Sequence, residues 1–323
     1  MRAIQVRAHG GPEVLEAVEL NDPTPGPGEL LVRVAAAGVN YIDTYQRTGL
    51  YPGPTPFVPG LEGAGTVVAT GPDVNGAAEG DRVAWCDAPG SYAELVVVPA
   101  ARAIPVPDGL DDQRAAAALL QGMTAHYLVT DTHPVVAGDT VLVHAAAGGV
   151  GLLLTQLVKA RGGRVIGTVS TADKEKLARA AGADEIIRYT EVDDLAAEVR
   201  ARTGGEGVAA VYDAVGATTF DASLGSLRRR GMLVLYGASS GPVPPVDLQR
   251  LNAAGSVFVT RPKLGDHTVT REELTGRAGD ILDAVGAGTL DLRIGATYPL
   301  AEARTAHEDL QGRRTTGKLL LIP

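Results

Sequence analysis

Residues 144–170 read HAAAGGVGLLLTQLVKARGGRVIGTVS. A short apolar run, VLVHA, leads into a glycine-rich turn, and the residues after the turn repeat apolar side chains at helical spacing. These side chains belong to Val150, Leu153, Leu154, Leu157 and Val158. Gly162 and Gly163 end the predicted helix, and the apolar run RVIGTVS follows it. Strand, helix and strand in this order predict a βαβ unit with two parallel strands.

The same alternation extends over residues 122–261. Helical stretches there separate six apolar runs, which are VLVHA, RVIGTVS, EIIRY, VAAVYDAV, GMLVLYG and SVFVT. Strands joined by helical crossovers pack as a parallel sheet with helices on both faces. The segment therefore predicts an α/β domain with a doubly wound, Rossmann-type sheet.

The flanking segments have a different pattern, in which short β-branched or alternating runs are separated by Gly- and Pro-rich turns. Between residues 1 and 121 these runs are MRAIQVRAHG, LEAVEL, ELLVRVAAAGV, GAGTVVATG, DRVAW and AELVVVP. After a helical stretch, the similar runs DLRIGATYPL and GKLLLIP follow near the C-terminal end of the sequence. We therefore expect residues 1–121 and 262–323 to form one β-rich domain, a folded-over sheet or partial barrel, around the 122–261 domain.

The glycine-rich turn favours a dinucleotide ligand. In the Rossmann fingerprint the first glycine makes the turn, the second lets the backbone approach the pyrophosphate, and the third lets helix and strand pack closely. Gly148 and Gly151 fill the second and third places, and Ala146 stands in the first. The helix behind the turn directs its N-terminal N–H groups at an anion. Close packing without any ligand would use the same glycines, so that alternative stays open.

The end of the second strand decides between NAD and NADP. An Asp or Glu is usual there for the ribose hydroxyls of NAD, whereas a 2′-phosphate would be repelled by a carboxylate. Ser170 stands in that place, Lys174 follows one helical turn later, and Tyr189 ends the third strand. Their hydroxyl and ammonium groups suit a phosphate, so the sequence predicts NADPH. An ordinary surface lysine is the alternative for Lys174.

Composition narrows the class of function. The formal net charge of −9 disfavours nucleic acid and anionic membrane surfaces as partners. The single cysteine, Cys86, cannot form an intrachain disulfide, and the apolar runs end before the ~18 residues that a membrane span needs. We therefore expect a soluble, cytoplasmic protein.

Four stretches carry a resemblance to a known family, namely GVNYIDTYQRTGLYP, AAAGGVGLLLTQLVKARGGRVIGTVSTADK, GASSG and GSVFVTRPKL. They resemble the quinone oxidoreductases, the zeta-crystallin-like branch of the medium-chain dehydrogenase/reductases. The likeness extends from MRAIQVRAHGGPEVLE to GKLLLIP, and the AxxGxxG turn of Ala145, Gly148 and Gly151 is typical of this branch. The resemblance implies a Rossmann domain plus a GroES-like catalytic domain, and a homodimer with NADPH in the cleft between the two domains.

The resemblance also implies site residues. Asn40, Tyr41 and Tyr45 would line the nicotinamide side, and they are the candidate catalytic residues. The other cofactor contacts implied are Thr124; Gly148, Gly149 and Val150 at the pyrophosphate; Ser170, Lys174 and Tyr189 at the 2′-phosphate; and Tyr236, Gly237, Ala238, Ser239 and Arg261.

Zinc alcohol dehydrogenases share this fold and are the main alternative. A catalytic zinc needs a cysteine near GVN and a His-Glu pair in a GHEGAG-like stretch. Residues 38–40 have no cysteine beside them, and Leu61 stands where the histidine would be, which leaves Glu62 alone. None of the six histidines shows metal-ligand spacing. We therefore expect no metal.

Without a Lewis acid, electron-poor acceptors are the expected substrates. The first hypothesis is reduction of quinones, with Tyr41, Tyr45 and Tyr51 orienting the acceptor and either Tyr45 or water supplying the proton. The alternatives are reduction of activated C=C bonds in enones, acrylates or enoyl thioesters, and NADPH binding without catalysis. The apolar strand 255–260 would lie at the sheet edge, where an identical strand of a second subunit can pair with it.

Overall fold

The computed structural model describes residues 1–323, which form two compact units. The first comprises Met1–Met123 and Thr268–Pro323, and the second comprises Thr124–His267. The boundaries expected from the sequence, 121/122 and 261/262, fall slightly earlier in the chain. The predicted fold class, an α/β protein with a parallel, Rossmann-type sheet and a separate β-rich domain, is confirmed.

The strands, in chain order, are β1 (Arg2–Val6), β2 (Leu15–Glu19), β3 (Glu29–Val39), β4 (Glu62–Thr70), β5 (Arg82–Cys86), β6 (Leu95–Pro99), β7 (Ile104–Pro105), β8 (Thr140–Val143), β9 (Arg164–Val169), β10 (Glu185–Arg188), β11 (Val208–Asp213), β12 (Leu227–Leu235), β13 (Phe258–Thr260), β14 (Ile294–Pro299) and β15 (Lys318–Ile322).

The α-helices are α1 (Tyr41–Thr48), α2 (Asp112–Tyr127), α3 (Gly149–Ala160), α4 (Ala172–Ala180), α5 (Leu195–Ala201), α6 (Phe220–Ser226), α7 (Gln249–Ala253), α8 (Arg271–Gly286) and α9 (Ala303–Gln311). A π-helical turn over Leu128–Thr132 follows α2. No helix combines the length and apolar character that crossing a membrane requires.

The first unit is built on a seven-stranded sheet in the order β14-β15-β3-β4-β5-β7, with β6 paired to β3, and on a β1-β2 hairpin. All its strand pairs are antiparallel except β14-β15. Alternate residues of β3 point inward, and Trp85 and Tyr92 lie fully buried among them. The chain returns after α8 to add β14 and β15, as the sequence predicts.

The second unit contains the six predicted parallel strands in the order β10-β9-β8-β11-β12-β13. Every residue of β11 is buried, which is why VAAVYD reads as an uninterrupted apolar run rather than an alternating one. The carboxyl ends of these strands lie along one edge of the sheet, where α/β proteins bind their ligands. That edge carries the glycine-rich turn and most of the residues singled out above.

Candidate active site

The glycine-rich turn joins β8 to α3. Ala145 adopts a left-handed φ of 51° and is exposed, while Ala146 is buried. The N–H of Gly148 donates to the Ala145 carbonyl oxygen at 2.8 Å, and Gly148 is the N-cap of α3. Ala145 therefore occupies the turning position of the fingerprint, which agrees with the AxxGxxG form rather than with Ala146 in the first place.

The two glycines of the turn serve different purposes. A Cβ on Gly151 would lie 2.4 Å from the Ala145 carbonyl oxygen and 2.9 Å from the Ala146 Cα, so this glycine permits close packing. A Cβ on Gly148 would meet only the Ala145 oxygen, at 3.1 Å. The space over Gly148 is thus open, and the first N–H groups of α3 behind it have no partner within the helix. The turn fits an anionic group such as a pyrophosphate.

Ser170, Lys174 and Tyr189 are brought together at the ends of two neighbouring strands. Ser170 follows β9 and Tyr189 follows β10, and the Tyr189 N–H donates to the Val169 carbonyl at 3.1 Å. Lys174 lies in the first turn of α4, where its backbone N–H donates to Thr171 Oγ1. Two hydroxyls and an ammonium group therefore belong to one short stretch of the sheet edge, without a carboxylate in the Ser170 position.

Residues 236–239 form the loop after β12 at the same edge. The N–H of Tyr236 donates to the Asp213 carbonyl at 2.9 Å, and a Cβ on Gly237 would lie 2.5 Å from the Ala214 carbonyl oxygen. This loop and the one after β11 are therefore packed backbone against backbone. Arg261 is exposed directly after β13, and Thr124 is buried in α2.

Sequence reasoning missed the group that holds the loop after β11. The Asp213 carboxylate accepts the N–H groups of Val215 and Gly216 through Oδ1, at 2.7 and 3.0 Å. Its Oδ2 accepts the hydroxyls of Thr219 and Ser223, both at 2.7 Å. The run VAAVYDAV looked like a plain buried strand, and its terminal carboxylate gave no signal of this role.

The candidate catalytic residues lie in the first unit: Asn40 is the N-cap of α1, Tyr41 is its first residue, and Tyr45 lies in the middle of the helix. The rings of Tyr41 and Tyr45 are 6.2 Å apart, and those of Tyr45 and Tyr51 are 5.3 Å apart. The Tyr41 hydroxyl donates to the Leu310 carbonyl at 3.1 Å, and burial raises the pKa of this phenol. The three rings thus form a continuous aromatic row, and Tyr41 is directed at the protein backbone.

Asn40 has a fixed side chain. Its Oδ1 accepts from Lys318 Nζ at 2.8 Å, and its Nδ2 donates to Glu62 Oε2 at 2.9 Å. Lys318 also donates to the same Glu62 oxygen, and Glu62 Oε1 accepts the Leu120 N–H at 2.6 Å. All three side chains are buried. Glu62, which stands alone in the sequence, is therefore one half of a buried ion pair with a lysine that sequence reasoning did not single out.

No three His, Cys, Asp or Glu side chains are arranged to hold a metal ion. The residues that the sequence grouped as cofactor contacts fall into two sets. Asn40, Tyr41 and Tyr45 belong to the first unit, and the residues from Thr124 to Arg261 belong to the second.

Comparison with known proteins identifies the family. A quinone oxidoreductase from Pseudomonas aeruginosa is 45% identical to this chain over 100% of the chain and 99% of the relative. The chain belongs to the quinone oxidoreductase branch of the medium-chain dehydrogenase/reductases. Residues 26–108 match the alcohol dehydrogenase GroES-like domain family, and residues 149–274 match the zinc-binding dehydrogenase family.

Solved members of this branch have the same fold. A mycobacterial protein in complex with NADPH is 53% identical with a TM-score of 0.97, and each chain is covered in full. The Escherichia coli quinone oxidoreductase in complex with NADPH is 42% identical with a TM-score of 0.97, also over 100% of both chains. A 2-haloacrylate reductase from a Burkholderia species is 41% identical over 99% of this chain and 98% of its own length.

Proposed function

We propose that this chain catalyses the NADPH-dependent reduction of quinones. The observation that carries the proposal is the full-length similarity of this chain to quinone oxidoreductases. Two structural relatives have been solved in complex with NADPH. When bound, NADPH supplies a hydride from C4 of its nicotinamide, so that a quinone and one further proton become a hydroquinone and NADP⁺.

The residues of the second unit fit this cofactor. Gly148, Gly149 and Val150 would hold the pyrophosphate at the start of α3, where the open space over Gly148 admits it. Ser170, Lys174 and Tyr189 would hold the 2′-phosphate, because they provide donors and positive charge at the ends of β9 and β10. Thr124, Tyr236, Gly237, Ala238, Ser239 and Arg261 would complete the contacts.

The residues of the first unit would bind the acceptor. Tyr41, Tyr45 and Tyr51 offer an aromatic row against which a quinone ring can stack. Burial raises the pKa of Tyr41, and its hydroxyl already donates to the Leu310 carbonyl, so Tyr41 is a poor proton donor and the proton would come from Tyr45 or from water. Asn40, locked between Lys318 and Glu62, would fix the start of α1 beside the reacting groups.

We propose that the reaction is zinc-independent. Glu62 is paired with the ammonium of Lys318, and Leu61 stands in place of a histidine ligand. A cation already neutralises the carboxylate, so the donor set that a catalytic zinc requires is not assembled here.

The test is NADPH oxidation with 1,4-benzoquinone or 9,10-phenanthrenequinone as acceptor, with and without a chelator, and with NADH in parallel. Rapid, chelator-resistant oxidation that prefers NADPH supports the proposal. Loss of activity in chelator would refute zinc independence, and equal rates with NADH would refute the 2′-phosphate site.

Reduction of activated C=C bonds is the second candidate, because one full-length relative is a 2-haloacrylate reductase. An acrylate and an enone in the same assay distinguish the two, since only the true acceptor class gives high kcat/KM. Binding of NADPH without turnover of any acceptor would instead indicate a non-catalytic protein.

We propose, too, that the chain forms a homodimer through β13 and works in the cytoplasm. Phe258 and Val259 lie on this edge strand with 57% and 36% of their surface exposed, and pairing with an identical strand would cover them. Sedimentation at monomer mass over a wide concentration range would refute the dimer. The lone buried thiol of Cys86 supports a reducing compartment, which fractionation of expressing cells would test.

A further inference from the structure

Helix α1 is held at its first turn by Asp43. The Oδ2 atom of Asp43 accepts the backbone N–H of Asn40 at 2.8 Å, and the Asp43 N–H donates to the Asn40 carbonyl. A carboxylate in the first turn satisfies an N–H that the helix leaves without a partner. Asp43 is therefore the side chain that ties Asn40 to α1.

Asp43 is also one end of a buried chain of hydrogen bonds. The Tyr92 hydroxyl lies 2.8 Å from Asp43 Oδ2, His307 Nε2 lies 3.1 Å from the Tyr92 oxygen, and Arg47 NH1 lies 3.1 Å from His307 Nδ1. All four side chains are completely buried. Arg47 is further fixed by the Gly10 carbonyl and the Gln311 side chain.

Only one assignment of donors and acceptors is consistent along this chain of hydrogen bonds. Arg47 can only donate, so His307 Nδ1 must accept and the ring proton lies on Nε2. His307 then donates to the Tyr92 oxygen, and the Tyr92 hydroxyl donates to Asp43. A neutral imidazole is required, and burial together with the charge of Arg47 lowers the pKa of His307 to about 3. The chain therefore ends on Asp43 Oδ2 as the accepting oxygen.

Both ends of this chain lie on α1. Arg47 follows Asp43 by one helical turn, and the connection between them passes through Tyr92, which precedes β6, and through His307 of α9. Tyr41 and Tyr45 lie on the same helix. The chain thus clamps a helix of eight residues, which would be marginal on its own, at its first and last turns.

We propose that Asp43 is a positioning residue, whose carboxyl group holds the start of α1, and with it Asn40, Tyr41 and Tyr45, in place for the reaction, and does so best in its neutral form. The inference rests on the proposed role of these three residues. A carboxylate accepts the Asn40 N–H and the Tyr92 hydroxyl more strongly than a neutral carboxylic acid does, but burial disfavours the charge by more than these two bonds favour it.

The surroundings of Asp43 bring the protonation of its carboxyl into the neutral pH range. Its Oδ1 atom is buried without a hydrogen-bond partner, and burial raises the pKa of this carboxyl to about 7. The Asn40 N–H, the Tyr92 hydroxyl and Lys318 of β15 oppose the rise, and Glu62 of β4 adds to it. Arg47 is connected to the Asp43 carboxyl only through the hydrogen bonds of His307 and Tyr92. Because the pKa is raised while α1 is closed over this carboxyl, ionisation favours opening, and the helix is expected to loosen as the pH rises through neutrality.

The test compares Asp43→Asn, which keeps the shape but cannot ionise, with the wild type. The readouts are kcat and KM for the quinone from pH 5.5 to 8.5, and deuterium exchange of the peptide 38–48 corrected for its intrinsic pH dependence. In the wild type we expect exchange of this peptide to rise, and kcat/KM to fall by at least about threefold, from pH 6 to pH 8, because the raised pKa of the closed form couples ionisation of Asp43 to opening. In Asp43→Asn neither the exchange of this peptide nor kcat/KM should change with pH, and both should resemble the values of the wild type at pH 6.

Asp194→Asn is the matched control, because Asp194 is an exposed carboxylate that accepts the Ala197 N–H at the start of α5. It should behave as the wild type does. The proposal would be overturned if kcat/KM of Asp43→Asn varied with pH as in the wild type. It would also be overturned if exchange in the wild type did not change with pH. Exchange is measured without turnover, so it decides the matter even if quinones prove not to be the substrate.

Tyr92→Phe provides a second test if Asp43→Asn does not fold. The Tyr92 hydroxyl lowers the pKa of Asp43, so its removal should move the midpoint of the exchange profile to higher pH. An unchanged midpoint of the exchange profile would contradict the proposed chain of hydrogen bonds.

Discussion

Two lysines show how burial decides what a single residue does. Lys174 lies partly exposed in the first turn of α4. Lys318 is completely buried and its ammonium group is bound to Glu62 and Asn40. Removal of the first should alter binding alone, and removal of the second should alter stability.

Lys174→Ala should weaken NADPH much more than NADH. A charge-assisted bond to phosphate contributes ~1.5–3 kcal/mol, so the Kd for NADPH should rise about tenfold to a hundredfold. Fluorescence titration with both cofactors measures this. Lys176→Ala is the control, since Lys176 is exposed and paired with Asp173. Equal losses for the two cofactors would show that Lys174 does not contact the 2′-phosphate.

Lys318→Met should destabilise the protein by ~3–5 kcal/mol, because it leaves the Glu62 carboxylate buried without its cation. Denaturant unfolding measures the change. The double variant Lys318→Met with Glu62→Gln should recover much of the loss, since it removes the unpaired charge. If the double variant is no more stable than the single one, the two residues are not coupled as described.

At the scale of elements, apolar patterning predicted the six parallel strands and the helix α3, because buried strands and amphipathic helices have strong sequence periods. Strand β7 was missed, since two residues carry no period. The surroundings of Asn40 could not be predicted either. Lys318 begins the run KLLLIP and reads as an ordinary strand residue, and its partner Glu62 lies 256 positions away. No local pattern encodes such a pair.

The turn before α3 yields a contrast between two glycines. Gly148→Val should abolish binding of both NADPH and NADH with the fold intact, because the side chain would fill the open space where the pyrophosphate approaches. Gly151→Val should destabilise the second unit by ~1–3 kcal/mol or more, because its Cβ would collide with the backbone at Ala145 and Ala146.

Thermal unfolding and cofactor titration of the two variants separate these effects. A Gly148→Val protein that binds NADPH normally would contradict the placement of the pyrophosphate.

At the scale of the whole molecule, buried histidines set the response to acid. Burial lowers the pKa of His133, His144 and His307 below the value of about 6.5 that they have in the unfolded chain. Their contribution to stability is therefore present above pH 6.5 and is lost as the pH falls, because the unfolded chain binds protons that the folded protein does not. Asp43 acts oppositely, since its raised pKa favours the folded state in acid.

The three histidines destabilise the folded protein in acid and the one carboxyl stabilises it. We therefore expect the midpoint temperature of thermal unfolding to decrease as the pH is lowered from 7 to 5. His144→Gln should reduce this dependence, because it removes one buried imidazole, whereas His9→Gln at an exposed site should not. Calorimetry at several pH values measures it. A midpoint that stays constant or rises in acid would contradict the assignment of neutral buried imidazoles.

The clamp on α1 has a consequence for protein engineering. The side chains that anchor the helix, Asp43 and Arg47, are different from those proposed to meet the acceptor, Tyr41 and Tyr45. A library randomised at Tyr51, which is 38% exposed, would leave every contact of the anchoring chain in place, whereas a new side chain at the buried Tyr45 would also have to be packed. Selection for new acceptors can therefore begin at Tyr51, where catalytic preference can be changed without first rebuilding the scaffold.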